Sequence, residues 1–183
     1  MRHDLTLTDG IHTLRPLTES DIEPLMALAA EHAEEYAQMG SLPTSTAYFT
    51  ALLDAPDQMP FVSLVGDRYA GNTRYLEMRP EHLRLEIGGT WLGQHFMRSG
   101  ANRAFKRLQL AHAFEVMGMR RVGFKTDLIN VRSQTAIAAL GAVREGVLRR
   151  HMVRPDGSAR DSVMFSITIE EWPEVKARLE RGR

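Results

Sequence analysis

The stretch from Leu83 to Met117 constrains this chain most, because it sets a strand, a glycine-bearing loop and a long helix in succession. Leu83, Leu85 and Ile87 alternate with Arg84, Glu86 and Gly88, the period of a half-buried strand. Gly88 and Gly89 break that alternation just before Trp91 and Leu92, which marks a bulge or a close approach of backbone. The loop Gln94 to Asn102 then enters a helix expected to end near Gly118. A helix N-terminus carries unpaired N–H groups and about half a positive charge, so a glycine-containing turn there suits an anion. Arg98, Arg103, Lys106 and Arg107 gather at the same end. The pattern fits a grip on a phosphorylated ligand, although an ordinary strand-to-helix connection with a solvated basic turn would look similar. It is neither a Walker A loop nor a G-x-G-x-x-G fingerprint.

With 183 residues the chain is long enough for one well-buried domain, expected to span 1–183, and too short for two comfortable ones. Lys and Arg together number 23, as do Asp and Glu, so no net field advertises nucleic acid or a membrane surface. The chain has no cysteine, which excludes disulfides, thiolate metal sites and a cysteine nucleophile. That fits a cytoplasmic protein, as does the lack of an apolar core in Met1-Arg2-His3-Asp4.

Taken in order, Ile11 to Leu17 reads as a strand closed by Pro16, and Thr18 and Asp21 have the spacing of a helix start. Ile22, Leu25, Met26, Ala29, Ala33 and Tyr36 share one helical face, with Gly40 as the expected stop. Glu31, Glu34 and Glu35 form an acidic run, either a solvated face or a rim that attracts a cationic amine. A shorter helix follows over Ser45 to Leu53, then strands over Phe61–Val65 and Arg68–Met78, the second bent at Gly71. After the central helix come a strand over Arg121–Asp127 and a helix from Asn130 to Gly141, an N-cap and a C′ glycine. A hairpin of Ala142–Val153 and Arg160–Ile169 and a closing helix with Pro173 in its first turn complete the chain.

Met97-Arg98-Ser99-Gly100-Ala101-Asn102 resembles the pyrophosphate loop Arg/Gln-x-x-Gly-x-Gly/Ala of the GCN5-related N-acetyltransferases. Gly100 holds the middle glycine, Met97 with Arg98 beside it replaces the leading basic residue, and Asn102 stands for the last small one. Asn130 and Ser133, then Leu140-Gly141-Ala142 and Glu145-Gly146-Val147-Leu148-Arg149, are similar to the ribosomal-protein-alanine N-acetyltransferase-like branch of that superfamily. Arg15-Pro16-Leu17 and Glu171-Trp172-Pro173 extend the resemblance over nearly the whole chain. It implies an α/β (α+β) acyl-CoA N-acyltransferase fold, with a mixed, mostly antiparallel sheet flanked by helices.

The resemblance further implies acetyl-CoA as cosubstrate and direct transfer of its acetyl group to a primary amine. The cofactor would lie on Met97, Arg98, Ser99, Gly100, Ala101, Asn102, Asn130 and Ser133, and a backbone N–H near Trp91 or Leu92 would polarise the acetyl carbonyl. Ser133 would sit near the sulfur, and Ser133 or a water would be the proton donor, since Ile137 stands where many relatives carry a tyrosine. Glu86, opposite Leu85 and Ile87, is either a solvated or salt-bridged glutamate or the general base; His82, His95, His151 and a water held by backbone carbonyls are the other candidates. His112 and Glu115 share a helix face, but a lone His-x-x-Glu does not make a metal site, and none is expected. The acceptor must be neutral to attack, and reference values leave ~10% of a protein α-amine neutral at pH 7 against ~0.04% of a lysine. That favours a protein or peptide N-terminus over small amines such as amino acids, polyamines or an antibiotic. A non-catalytic CoA-binding regulatory module is the competing class, and a homodimer is compatible with either.

Overall fold

The computed structural model describes residues 3–36, 43–154 and 156–181. Eight strands form one sheet: β1 (Leu7–Thr8), β2 (His12–Pro16), β3 (Met59–Val65), β4 (Arg68–Arg79), β5 (Arg84–Leu92), β6 (Arg121–Asp127), β7 (Val143–Val153) and β8 (Ala159–Thr168). The helices are α1 (Ile22–Ala30), α2 (Thr46–Asp54), α3 (Ala101–Ala111), α4 (Val131–Leu140) and α5 (Trp172–Arg181). The order across the sheet is β1-β2-β3-β4-β5-β6-β8-β7. Among the described residues β5 and β6 are the parallel neighbours and every other pairing is antiparallel. This is the mixed, mostly antiparallel sheet expected from the sequence. Strand β1 leaves no mark in the sequence pattern, because it is too short to show a period.

Local chemistry explains most boundaries. Arg15 and Asp21 form a two-pronged pair at 2.7 and 2.9 Å, and Thr18 N–H and Tyr69 Oη also donate to Asp21. Burial pushes the Asp21 carboxyl up, but these donors outweigh it and hold the group at about 2. The capping spacing at Thr18 is thus a buried charged knot joining β2, α1 and β4. The first helix stops at Ala30, earlier than its apolar face suggests, and a tight turn over Ala33–Tyr36 follows; Gly40 lies outside the described residues. The central helix leaves α-geometry at Ala111 and continues through a wider turn in which Met117 N–H reaches His112 C=O at 2.9 Å. Gly118, at φ +66°, ends it as expected.

Two apolar layers sandwich the sheet. Leu85, Ile87, Phe105, Leu110, Phe114, Val122 and Trp172 lie in the layer under α3 and α5, while Leu25, Tyr36, Phe49, Val62 and Trp91 lie in the layer under α1 and α2. Each of these side chains contributes ~1.5–3 kcal/mol by leaving water. Strand β5 serves both layers because of one irregularity. Asn72 faces Trp91 and Arg74 faces Gly88, so two steps along β4 match three along β5. The extra residue is a β-bulge, and it inverts the alternation so that Trp91 turns to the α1/α2 layer and Leu92 to the other. The double glycine marks that spot. Gly89 has φ +56°, and a Cβ on it would lie 2.7 Å from the Arg74 side chain. Leu83 does not join the strand: it sits at φ +49° in the preceding turn, exposed.

Candidate active site

The site takes its shape from two strands that part. β5 pairs with β6 only at Arg84, Leu85 and Glu86, opposite Arg121, Val122 and Gly123. From Ile87 onward β5 stays with β4, whereas β6 stays with β8 as far as Asp127 opposite Ser162. The parted end of β5 is fixed from α1's side: Tyr36 Oη donates to Leu92 C=O at 3.0 Å, and its ring meets Trp91 edge-on. The parted end of β6 is fixed by Arg154, which grips both oxygens of Asp127 at 2.7 and 2.9 Å. Asp127 also accepts from Ile129 N–H, which orders the turn leading to Asn130.

The loop between β5 and α3 turns twice through left-handed backbone, at Arg98 (φ +60°) and Gly100 (φ +91°). Ser99 Oγ donates to Phe96 C=O at 2.8 Å and accepts weakly from Ala101 N–H at 3.3 Å. The first backbone bond of the helix is Ala104 N–H to Gly100 C=O. Asn102 and Arg103 therefore keep the free first-turn N–H groups of any helix. A Cβ on Gly100 would meet nothing within 4 Å, so the space beside this turn is open, and Asn102 holds a buried Oδ1 without a partner. An open cradle edged by free backbone N–H donors fits a pyrophosphate, whereas Asn102 Oδ1, an acceptor, adds nothing to an anion's grip. Arg98 is exposed, and Arg103 lines a pocket of about 320 Å³ with Asp9, His12, Gly100 and Arg107.

Two basic residues do other work than the sequence suggests. Arg107 pairs with Asp9 at 2.8 Å. Burial pushes Asp9 up, but the N–H groups of His12 and Ile11 hold its carboxyl at about 2. Lys106 does not belong to the open basic turn at all. It is 5% exposed and runs inward to the sheet, where it donates to Thr90 Oγ1 at 2.6 Å and to Thr73 Oγ1 and Gln109 Oε1 at 3.1 Å. Burial lowers its pKa to about 7. Its sequence position on the polar side of α3 gives no hint, because its two hydroxyl partners come from β4 and β5.

Glu86 is buried rather than solvated, 3.5 Å from Lys125 on the neighbouring strand. Burial raises its carboxyl pKa, and Lys125 pulls the other way without cancelling the effect. A Cβ on Gly88 would lie 3.2 Å from the Glu86 carboxylate, so that glycine keeps the way to it open. Lys125 escapes the sequence reading, although it alternates with Val122 and Phe124 and so shares the Glu86 face of the sheet. Asn130 caps α4 by accepting from Ser133 N–H at 2.9 Å, and Ser133 is half-buried in the first turn. Ile137, one turn on, packs against the main core. His82, His95 and His151 are exposed. His112 stacks on Tyr75, and Glu115 accepts from Trp172 and Lys176; no cluster of metal-ligating side chains occurs among the described residues. Glu31 and Glu34 are exposed, as a solvated face would be, and the side chain of Glu35 lies outside the described residues.

The profile of the acetyltransferase (GNAT) domain matches residues 12–143. The chain belongs to this family of acetyl-CoA-dependent N-acetyltransferases. A solved structure described as an acetyltransferase, from T. thermophilus, is 39% identical with a TM-score of 0.89, covering 100% of this chain and 98% of that one. Mycobacterium smegmatis RimJ, solved with CoA-disulfide, shares the fold at 20% identity and a TM-score of 0.83, over 98% of this chain and 95% of that one. The uncharacterized N-acetyltransferase YoaA of Bacillus subtilis (strain 168) is 26% identical over 97 residues, 53% of this chain. That match spans 54% of YoaA, about half its length. Among the described residues no helix is long and apolar enough to cross a membrane.

Proposed function

We propose that this chain, acting as one catalytic domain in the cytoplasm, acetylates the α-amine of a protein N-terminus. The observation that carries the reading is the parting of β5 from β6, with the Gly100 turn in the connection that follows β5 and Ser133 in the first turn of the helix that follows β6. Backbone N–H groups from Gly100 to Asn102, flanked by Met97, Arg98 and Ser99, would hold the pyrophosphate. Asn130 would steady the pantetheine arm while it caps α4. A backbone N–H at Trp91 or Leu92 would take the charge that develops on the acetyl oxygen. Glu86, with its raised pKa, would accept the amine proton through the gap beside Gly88, and Ser133 would return a proton to the sulfur.

The acceptor follows from the base. A single buried carboxylate suits an amine that is already partly neutral at pH 7, which an α-amine is and a lysine is not. The test is acetyl transfer to a panel: peptides with free N-termini, the same peptides N-blocked with internal lysines, amino acids and polyamines. Acetylation of the free N-termini above the rest is the expected result. Preference for a free amino acid or polyamine would make this a small-amine enzyme, and CoA binding without any thiol release would make it a regulatory module.

A further inference from the structure

Lysine is almost never fully buried without a carboxylate, because its charge loses more in leaving water than neutral oxygens return. Lys106 breaks that rule. Its three partners are the hydroxyls of Thr73 and Thr90 and the amide oxygen of Gln109, all neutral. It does not rescue a stranded hydroxyl either, since Thr73 and Thr90 already bond each other at 2.7 Å. A methionine would fill much the same volume without the cost of desolvation. What the lysine adds is a join between two elements.

The place of that join is informative. Thr90 lies inside the β5 bulge, between Gly89 and Trp91, and Thr73 is the β4 residue across from it. Lys106 lies on the helix whose first residue, Ala101, follows the Gly100 turn. At 1.5 Å rise per residue it sits about 7–8 Å along the axis from that turn. One side chain thus connects the helix that begins at the phosphate grip to the bulge that aims the β5 backbone.

We propose that Lys106 is a positioning residue that holds the β5 bulge at a fixed distance from the α3 N-terminus, so that both ends of a bound acyl donor are in register. The inference rests on the acetyltransferase reading and deepens it. Transfer requires the thioester carbonyl to meet the β5 backbone while the diphosphate is held at Gly100. A bulge free to shift would leave the diphosphate bound and the carbonyl misplaced, and a misplacement of ~1 Å costs about 100-fold in rate.

The test is Lys106→Met, Thr90→Val and the double variant, with CoA affinity by calorimetry and turnover by thiol release. Lys106→Met should lower kcat by about 100-fold while CoA affinity and the KM for acetyl-CoA stay within about 3-fold. Thr90→Val should show the same split, and the double variant should be no worse than Lys106→Met alone, because both cut one join. Unchanged kcat in folded Lys106→Met, a parallel loss of CoA affinity, or losses that multiply in the double variant would each overturn the proposal. If Lys106→Met does not fold, Thr90→Val reads the same bond from the strand side, and full turnover in it overturns the proposal equally. Failure of the wild-type chain to release thiol at all would fell the acetyltransferase reading, and this inference with it.

Discussion

The Gly100 turn and the β5 bulge flank the same gap, yet they are built in opposite ways. The turn is exposed and held mostly by backbone: left-handed φ at Arg98 and Gly100 and one serine hydroxyl set its course. The bulge is half-buried and held by side chains: Lys106 and Thr73 bond Thr90, and Arg74 lies against Gly89. A grip for a flexible, highly charged diphosphate needs donors and open space. A carbonyl site needs one N–H held to within a fraction of an ångström, which a surface turn does not supply. The contrast separates binding from chemistry: damage to the turn should appear in affinity, and damage around the bulge in turnover.

The largest effect is expected at the turn. Gly100→Ile should weaken CoA binding about 100-fold, since a β-branched residue at φ +91° carries up to ~3 kcal/mol of strain that the free loop relaxes and the bound loop must restore. Melting temperature should hardly move, because a Cβ there meets nothing. Equal affinity by calorimetry would put the diphosphate elsewhere.

Ser133→Ala sharpens the other side of the comparison. It should lower kcat about 10-fold with little change in the KM for acetyl-CoA, the pattern of a group that acts in the transition state. Full turnover would hand protonation of the sulfur to water. Glu86→Gln should cost about 10-fold where the acceptor amine is mostly protonated, and less as pH rises and solvent removes that proton instead. A pH–rate profile of unchanged shape in the folded variant would assign Glu86 to its pairing with Lys125 and nothing more.

The remaining effect concerns stability and leaves turnover aside. Folded Lys106 binds its proton only below about 7, against 10.5 for an ordinary lysine. The unfolded chain therefore holds the extra proton between those values, and stability rises with pH across that window. Urea titrations at pH 7 and pH 9 should show wild type gaining on Lys106→Met by up to about 1.4 kcal/mol per pH unit. An equal difference at both pH values would mean that Lys106 stays charged in the fold.

The same contrast explains what the sequence discloses. Elements set by local chemistry are legible: the Gly100 turn, the Asn130 cap, the left-handed Gly141 stop and the double glycine of the bulge all stand where their residue types demand. Lys106 reads as part of an open basic turn because its neighbours in sequence are arginines, whereas its neighbours in space are threonines on other strands. Glu86 reads as solvated, as salt-bridged or as a working base, and the salt bridge is present. Its burial comes from the parallel pairing with β6, and alternation within β5 carries no trace of that partner. Leu83 fits the strand period but falls in a left-handed turn, where the preceding Pro80 sets the course. Period and capping are local, whereas partners across a sheet are not.

The most direct measurement is a crystal structure with CoA bound. The account predicts the pyrophosphate on the backbone N–H groups of Gly100 to Asn102, and the sulfur between the parted ends of β5 and β6 beside Ser133. The β5 bulge should keep the same geometry as in the free chain. CoA bound with the gap between β5 and β6 empty, for instance wholly within the pocket of Arg103 and His12, would contradict it.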